Sequence, residues 1–199
     1  MRILAAFLLS LLVPFGAFAQ AQEMSPDELV RKVTAEVLEA VKSDKELAQG
    51  DRDKALALAE KKILPHVDFE EAARLAVGRP WASASPEQKK KLTDEFRTLL
   101  IRIYSQSLDS YKGQTMRVLP LRAEPGATDV TVRNQYLKPG QQPVVVDYYM
   151  HKTPGGWKIY DIVVAGVSLV LTYRSEFEQI TRASGIDGLV SRLAEKNRR

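Results

Sequence analysis

The sequence predicts an α+β fold in which helices pack on one face of a four-stranded antiparallel meander sheet. In the first half of the 199-residue chain, apolar residues recur at helical spacing, and from about residue 113 they alternate with polar residues as in strands. Helical spacing returns near the end of the chain. We therefore place the helical part at about residues 22–112, the sheet at about 113–166 and two closing helices at about 168–198.

The beginning of the chain has the pattern of an export signal. Arg2 precedes a short apolar stretch, and small residues suited to cleavage end at Ala19 and, alternatively, at Ala21. The apolar stretch is too short for a membrane anchor. We therefore expect a signal peptide over residues 1–19 and a single exported domain over residues 20–199.

Composition excludes several classes of protein. The chain has no cysteine, which rules out disulfides, thiol catalysis and Cys-based zinc sites. Its two histidines, His66 and His151, are far apart and outside any metal-ligand spacing. No phosphate loop, dinucleotide fingerprint or aromatic-interleaved basic patch is present. We expect no metal, no cofactor and no nucleic-acid partner.

Four helices are predicted in the first half. Ser25 caps the first helix, and its apolar residues follow one another at four-residue spacing. The second helix runs from about Asp51 to Leu64, the third covers residues 68–77, and the fourth follows Ser85. The fourth is long and amphipathic, and we expect it to extend to about Tyr111.

Four strands follow, joined by turns at Pro139-Gly140 and at residues 153–156. Consecutive antiparallel strands form a meander, and a curved meander forms a cone whose mouth the helices cover. The uncharged run from Ile162 to Leu171 is interpreted as strand that passes directly into a closing helix. The strands are predicted at Met116–Val118, Asp129–Arg133, Val144–Met150 and Trp157–Val164, and the closing helices at about Val170–Ala183 and Ile186–Asn197.

Two aspartates make an enzyme the main alternative. Asp147 and Asp161 lie on neighbouring predicted strands beside tyrosines, which suits acid-base chemistry in a sheet-lined cone. Such an enzyme would be an isomerase or dehydratase acting on a hydrophobic substrate. It requires an aspartate that is buried in the cavity and has a raised pKa, and two outward-facing carboxylates would exclude it. Ser168 fails the nucleophile-elbow pattern at Val170, so we expect a cap or turn residue there.

The remaining candidate site is apolar. The chain supplies more aliphatic side chains than a thin sheet with one helical layer needs, although an ordinary core is the competing interpretation. Strand alternation directs one set of them into the cone. The predicted lining residues are Tyr104, Leu108, Val130, Val132, Val144, Val146, Tyr148, Ile162, Val164, Val167, Leu169 and Val170.

Several motifs together resemble one family. They lie in the last strand, in the segment that follows it and in the closing helices, and the start of the fourth helix adds another. On these motifs the chain resembles the MlaC family of periplasmic phospholipid-transport proteins, also called toluene-tolerance proteins. The motifs are Ser85–Gln88, Gly156–Asp161, Gly166–Val170, Tyr173–Phe177 and Ser184–Leu189.

The resemblance implies an NTF2-like cone and a soluble, monomeric, non-catalytic periplasmic carrier of glycerophospholipid. It implies exchange of lipid between an outer-membrane lipoprotein complex and an inner-membrane ABC transporter with an MCE protein, in maintenance of outer-membrane lipid asymmetry. A carrier of lipoproteins or hydrocarbons would share the pocket and differ in its ligand. For two acyl chains we expect a cavity at or above the upper end of the usual ~300 to 1,000 Å³ range.

Overall fold

A computed structural model describes residues 24–104 and 115–198 of the chain. Helices come first, an antiparallel sheet follows, and a helical segment ends the described part, which is the order that the sequence predicts for an α+β fold. The predicted signal peptide and the predicted helix end near Tyr111 lie outside these residues. Within the described ranges, no helix combines the length and apolarity needed to cross a membrane.

Side-chain caps fix the starts of three helices. The Ser25 hydroxyl and the carboxylates of Asp51 and Asp68 each accept a hydrogen bond from the backbone N–H three residues later. These bonds satisfy donors that the first helical turn leaves without partners. The helices are α1 (Pro26–Ser43), α2 (Lys45–Ala48), α3 (Arg52–Lys62), α4 (Phe69–Val77) and α5 (Pro86–Tyr104 in the described part), with 3-10 turns at Leu64–His66 and Arg79–Ser83.

The sheet has five strands in the described part of the chain, so the prediction of four was wrong. All neighbours are antiparallel and follow chain order, which is the meander that the sequence predicts. The first four strands lie where strand alternation places them. The strands are β1 (Thr115–Val118), β2 (Asp129–Leu137), β3 (Val144–Thr153), β4 (Gly156–Val164) and β5 (Val167–Ser168).

The fifth strand arises from a tight turn inside the apolar run. Ala165 and Gly166 have φ of 49° and 84°, and positive φ at both central residues is the requirement of a type I′ hairpin turn. The chain therefore reverses, and Val164 pairs with Val167. The run from Ile162 to Leu171 is a hairpin and not one continuous strand, and a 3-10 turn at Leu171–Tyr173 follows it.

The closing helical segment, α6 (Arg174–Arg198), is interrupted once. Gly185 adopts φ 69° and ψ −171°, which no helical residue adopts. Only glycine takes up this region of φ and ψ readily. The break divides α6 into two helical parts, in agreement with the two closing helices that the sequence predicts.

Two hydrophobic cores support the domain. The first joins α4, α5 and α6 around the rings of Phe96, Tyr173 and Phe177, whose centroids lie 5.3 to 5.6 Å apart. The second joins α1 to the sheet and includes Val30 and Met150. The first core stabilises the helical layer, and the second attaches the N-terminal helix to the strands.

Replacement of Phe96 by alanine tests the helical core. Phe96 is 1% exposed and meets Tyr173 and Phe177 edge to face. We expect Phe96→Ala to lower the free energy of unfolding by about 3–5 kcal/mol, measured by urea denaturation. Leu171, which is 45% exposed, supplies the control, since Leu171→Ala should change stability by less than about 0.5 kcal/mol. Equal losses in the two variants would contradict this assignment of the core.

Candidate functional site

A cavity of about 640 Å³ lies between the inner face of the sheet and the helices. This volume falls inside the usual ~300 to 1,000 Å³ range of ligand sites and below the volume that we expected. Its wall is mainly apolar. The sheet contributes Tyr136, Val144, Val146, Tyr148, Ile162 and Val164.

Strand register explains why these side chains share a face. Val146 pairs with Val164, and Tyr148 pairs with Ile162, so alternate residues of β3 and β4 point the same way. A register shift between Tyr149 and Met150 then changes the pairing beyond these residues. The apolar alternation in β3 therefore supplies one continuous wall of the cavity.

Helices form the other wall, and sequence reasoning did not assign any of them except α5 to the site. The apolar side of α1 faces the cavity through Val33 and Val37, which are only half-buried. The four-residue spacing on α1 was the available signal, because an apolar helix face must lie against something. Further helical lining residues are Leu56, Ala59, Ile63, Phe69, Ala72, Leu100 and Ile101.

The structure brings most of the predicted lining residues together and separates others from them. Leu108 lies outside the described residues. Val130, Val132 and Val167 lie outside the lining of this cavity. The predicted residues that line it are Tyr104, Val144, Val146, Tyr148, Ile162, Val164, Leu169 and Val170.

Two features of the structure keep these three valines out of the cavity wall. Val130 and Val132 lie on the same sheet face as Tyr148, but there α1 places Val30 directly against the sheet and fills the space. This packing also keeps the cavity smaller than expected. Val167 follows the hairpin turn and is 59% exposed, because the reversal carries it out of the wall.

Tyrosine hydroxyls are the main polar groups on the sheet side of the cavity. The Tyr136 and Tyr148 hydroxyl oxygens are 3.1 Å apart, and the Tyr104 hydroxyl donates to the Leu169 carbonyl at 3.4 Å. Burial raises the pKa of Tyr104 and raises that of Tyr148 well above its ordinary value. These hydroxyls therefore stay protonated at neutral pH and can donate hydrogen bonds.

The two aspartates are both engaged. Arg133 donates to Asp147 through Nε and Nη2 at 2.7 and 2.8 Å, and Asp147 does not line the cavity. Asp161 belongs to the wall, and burial raises the pKa of its carboxyl although hydrogen bonds to the carboxylate oppose the shift. The burial and raised pKa that the enzyme alternative requires are therefore present at Asp161.

The hydrogen bonds of Asp161 point to a structural role. Its oxygens accept from the Ser168 hydroxyl at 2.6 Å and from the backbone N–H groups of Ile162 and Val170 at 2.8 and 3.2 Å. Ser168 in turn accepts from the Leu171 N–H at 2.8 Å, as expected of a cap or turn residue. Asp161 therefore ties β4 to the hairpin and to the turn that follows it, and its oxygens are occupied.

Charged and amide side chains stand at the edge of the cavity. Lys138, Gln141 and Gln142 belong to the connection between β2 and β3 and are exposed. Among the described residues, no group of three or more His, Asp or Glu side chains could hold a metal ion. The site thus combines a mainly apolar interior, in which Asp161 and the tyrosines are the polar groups described above, with a polar rim that carries the positive charge of Lys138.

Comparisons with known proteins agree on one relationship. The family model described as "MlaC protein" matches residues 31–195. The chain is 25% identical over 196 residues to the "Intermembrane phospholipid transport system binding protein MlaC" of Haemophilus influenzae, with 97% of this chain and 90% of that protein covered. It is also 25% identical over 191 residues to the "Toluene tolerance protein ttg2D" of Pseudomonas putida, covering 93% and 86% of the two chains.

A solved structure shows the same architecture. A phospholipid-binding protein from Ralstonia solanacearum, in complex with a phospholipid, superposes with a TM-score of 0.77 and is 38% identical. The match covers 86% of this chain and 96% of the other. The similarity therefore extends over most of the helices and the sheet.

Replacement of Asp161 by asparagine tests the burial of its carboxyl through pH. The carboxyl has a higher pKa in the folded state than its ordinary 3.8. The protonated carboxyl therefore adds to the free energy of unfolding below pH 3.8, and this contribution is lost as the pH rises through the folded-state pKa. Asparagine does not titrate. We therefore expect the free energy of unfolding of the wild type, relative to Asp161→Asn, to fall as pH rises from about 3.5 to about 7 in urea titrations.

The exposed Asp94, which pairs with Lys90 on the surface of α5, supplies the control for removal of a charge. Urea titrations of Asp94→Asn over the same pH range show what removal of a surface carboxylate does by itself. A stability difference between the wild type and Asp161→Asn that stays constant with pH would contradict the assignment.

Proposed function

Since the chain belongs to the MlaC family, whose model spans residues 31–195, we propose that it is a phospholipid carrier that holds acyl chains in its cavity. The observation that carries the proposal is a mainly apolar cavity of about 640 Å³ between the helices and the sheet, with Lys138 at its rim. The phospholipid complex of the R. solanacearum relative supports the same ligand class.

The energetics of acyl chains explain why a carrier needs such a cavity. Exposure of about thirty methylene groups to water costs roughly 24 kcal/mol at ~0.8 kcal/mol each. A dry apolar cavity removes most of this cost. Because membrane and cavity are both apolar, transfer between them lies near balance, and a docked partner can then set the direction.

The cellular role belongs to the same proposal. Export with removal of residues 1–19 would place a monomeric carrier of residues 20–199 in the periplasm. There it would exchange lipid between an outer-membrane lipoprotein complex and an inner-membrane MCE/ABC transporter, and so maintain outer-membrane lipid asymmetry. The names of the H. influenzae and P. putida relatives support this role. We also infer that the sheet and its covering helices form an NTF2-like cone.

The enzyme alternative has less support. Asp161 meets its requirement for a buried aspartate with a raised pKa, but three hydrogen-bond donors occupy the carboxylate. Asp147 is held by Arg133. Neither aspartate therefore offers an oxygen without a partner to a substrate in the cavity. A carrier of lipoproteins or hydrocarbons would differ only in the ligand found.

Identification of the native ligand tests the proposal. We expect native mass spectrometry of protein purified without detergent to show about one bound glycerophospholipid per chain, and lipid extraction to identify it. Folded protein that carries no lipid would contradict the proposal. A bound hydrocarbon or lipoprotein acyl group in place of phospholipid would support the alternative carrier.

A charge placed in the wall should expel the lipid. Val146 and Val164 face each other across β3 and β4 in the cavity wall, whereas the adjacent Val145 lies on the other sheet face. A carboxylate in a dry site costs several kcal/mol, so we expect Val146→Asp or Val164→Asp to reduce bound lipid at least about tenfold. Native mass spectrometry measures bound lipid, and circular dichroism establishes that each variant is folded.

Val145→Asp is the matched control and should keep the wild-type amount of lipid. If folded Val146→Asp also kept it, the acyl chains would lie elsewhere and the assignment of the sheet face would be wrong.

A further inference from the structure

Three polar side chains form a group on the otherwise apolar inner face of the sheet. Asn134 and Tyr136 are alternate residues of β2, and register pairs Asn134 with Val146 and Tyr136 with Val144. Tyr148 is the next inward residue of β3 after Val146. We call Asn134, Tyr136 and Tyr148 the polar patch.

Asn134 is the least satisfied member of the polar patch. Its side chain is fully buried, and neither the amide oxygen nor the amide nitrogen has a hydrogen-bond partner within residues 24–104 and 115–198. Buried amides without partners are rare, because burial removes their hydrogen bonds to water. Asn134 does not itself line the cavity, but Tyr136 and Val146 beside it do, so its amide lies next to the wall.

The tyrosines leave a donor available as well. Their oxygens are 3.1 Å apart, so one hydroxyl donates to the other, and among the described residues the second hydroxyl hydrogen has no further acceptor. The amide of Asn134 adds two N–H donors. The polar patch therefore presents these donors together with the unpartnered amide oxygen of Asn134, and a ligand group that accepts hydrogen bonds can pair with the donors.

We propose that the polar patch binds the ester carbonyl oxygens of a glycerolipid, an inference that rests on the proposed phospholipid-carrier function. An ester carbonyl accepts hydrogen bonds, so it can pair with the remaining tyrosine hydroxyl hydrogen in the wall and with the Asn134 amide N–H beside it. Acyl methylenes neither donate nor accept, so they belong against the surrounding valines. The polar patch thus fixes how deep the lipid sits in the cavity.

The position of the polar patch relative to the rim supports the same ligand group. Lys138 follows Tyr136 by two residues and Asn134 by four, which places them roughly 7 and 13 Å from it along an extended strand. A lipid phosphate next to the Lys138 ammonium would therefore have its glycerol esters just inside the cavity. The acyl chains would continue towards the helices.

Competition between two lipids tests the inference. Diacyl phosphatidylethanolamine and its dialkyl ether analogue share headgroup and chain length, and only the first has ester carbonyls. We expect wild-type protein, loaded from vesicles that contain both lipids equally, to retain the ester lipid roughly tenfold over the ether lipid. Asn134→Leu and Tyr148→Phe should each lower this preference several-fold.

Tyr149→Phe is the matched control, since it removes the same hydroxyl from the neighbouring residue on the other face, and it should keep the wild-type preference. Asn134→Leu should be as stable as the wild type or more so, because it replaces an unsatisfied buried amide by an apolar side chain of similar size. If Asn134→Leu loses the preference for the ester lipid although it is at least as stable as the wild type, the loss is an effect on lipid binding and not on folding.

The two proposals fail in distinguishable ways. Equal retention of ester and ether lipid by the wild type would overturn the role of the polar patch and leave the carrier function intact. Uptake of neither lipid would overturn the carrier function itself. Infrared spectra of lipid labelled with ¹³C at the ester carbonyl give an independent readout. The carbonyl stretch should lie at lower frequency in the wild type than in the Asn134→Leu, Tyr148→Phe double variant, and equal frequencies would contradict the inference.

Discussion

The inner face of the sheet is apolar over most of its length, and the way the helices cover it determines the rest of the structure. At one end α1 packs directly on the strands, and Val30 meets Val130 and Val132 there. At the other end α1, α3 and α5 stand away from Val146 and Val164, and a cavity of about 640 Å³ remains. One face therefore provides both a core that stabilises the domain and a space for a ligand.

The hairpin after β4 closes this arrangement. The turn at Ala165 and Gly166 reverses the chain, so that Leu169 and Val170 return to the cavity wall. Asp161 holds the returning segment through Ser168 and the backbone N–H of Val170. The same carboxylate that made an enzyme plausible thus positions part of an apolar wall. Asp161 is buried because it holds this returning segment against β4.

The predictable part of the structure rests on periodicity and caps. The caps Ser25, Asp51 and Asp68 mark the helix starts in the sequence, and the alternation in β3 identified the sheet side of the cavity. The gap between helix and sheet could not be predicted, because it depends on where α1 lies in three dimensions. Strand alternation alone therefore places Val130 and Val132 in the wall, because it does not show that α1 covers them. The turn at Ala165 was missed because alanine seldom adopts positive φ.

The most direct test of the proposed carrier is a crystal structure of the protein purified from cells without detergent. We predict continuous density for two acyl chains between α1 and the inner face of β3 and β4, with ester carbonyls near Tyr136 and Tyr148 and the headgroup near Lys138. A cavity filled by water or collapsed onto its own side chains, in protein that has kept its native ligand content, would contradict the account.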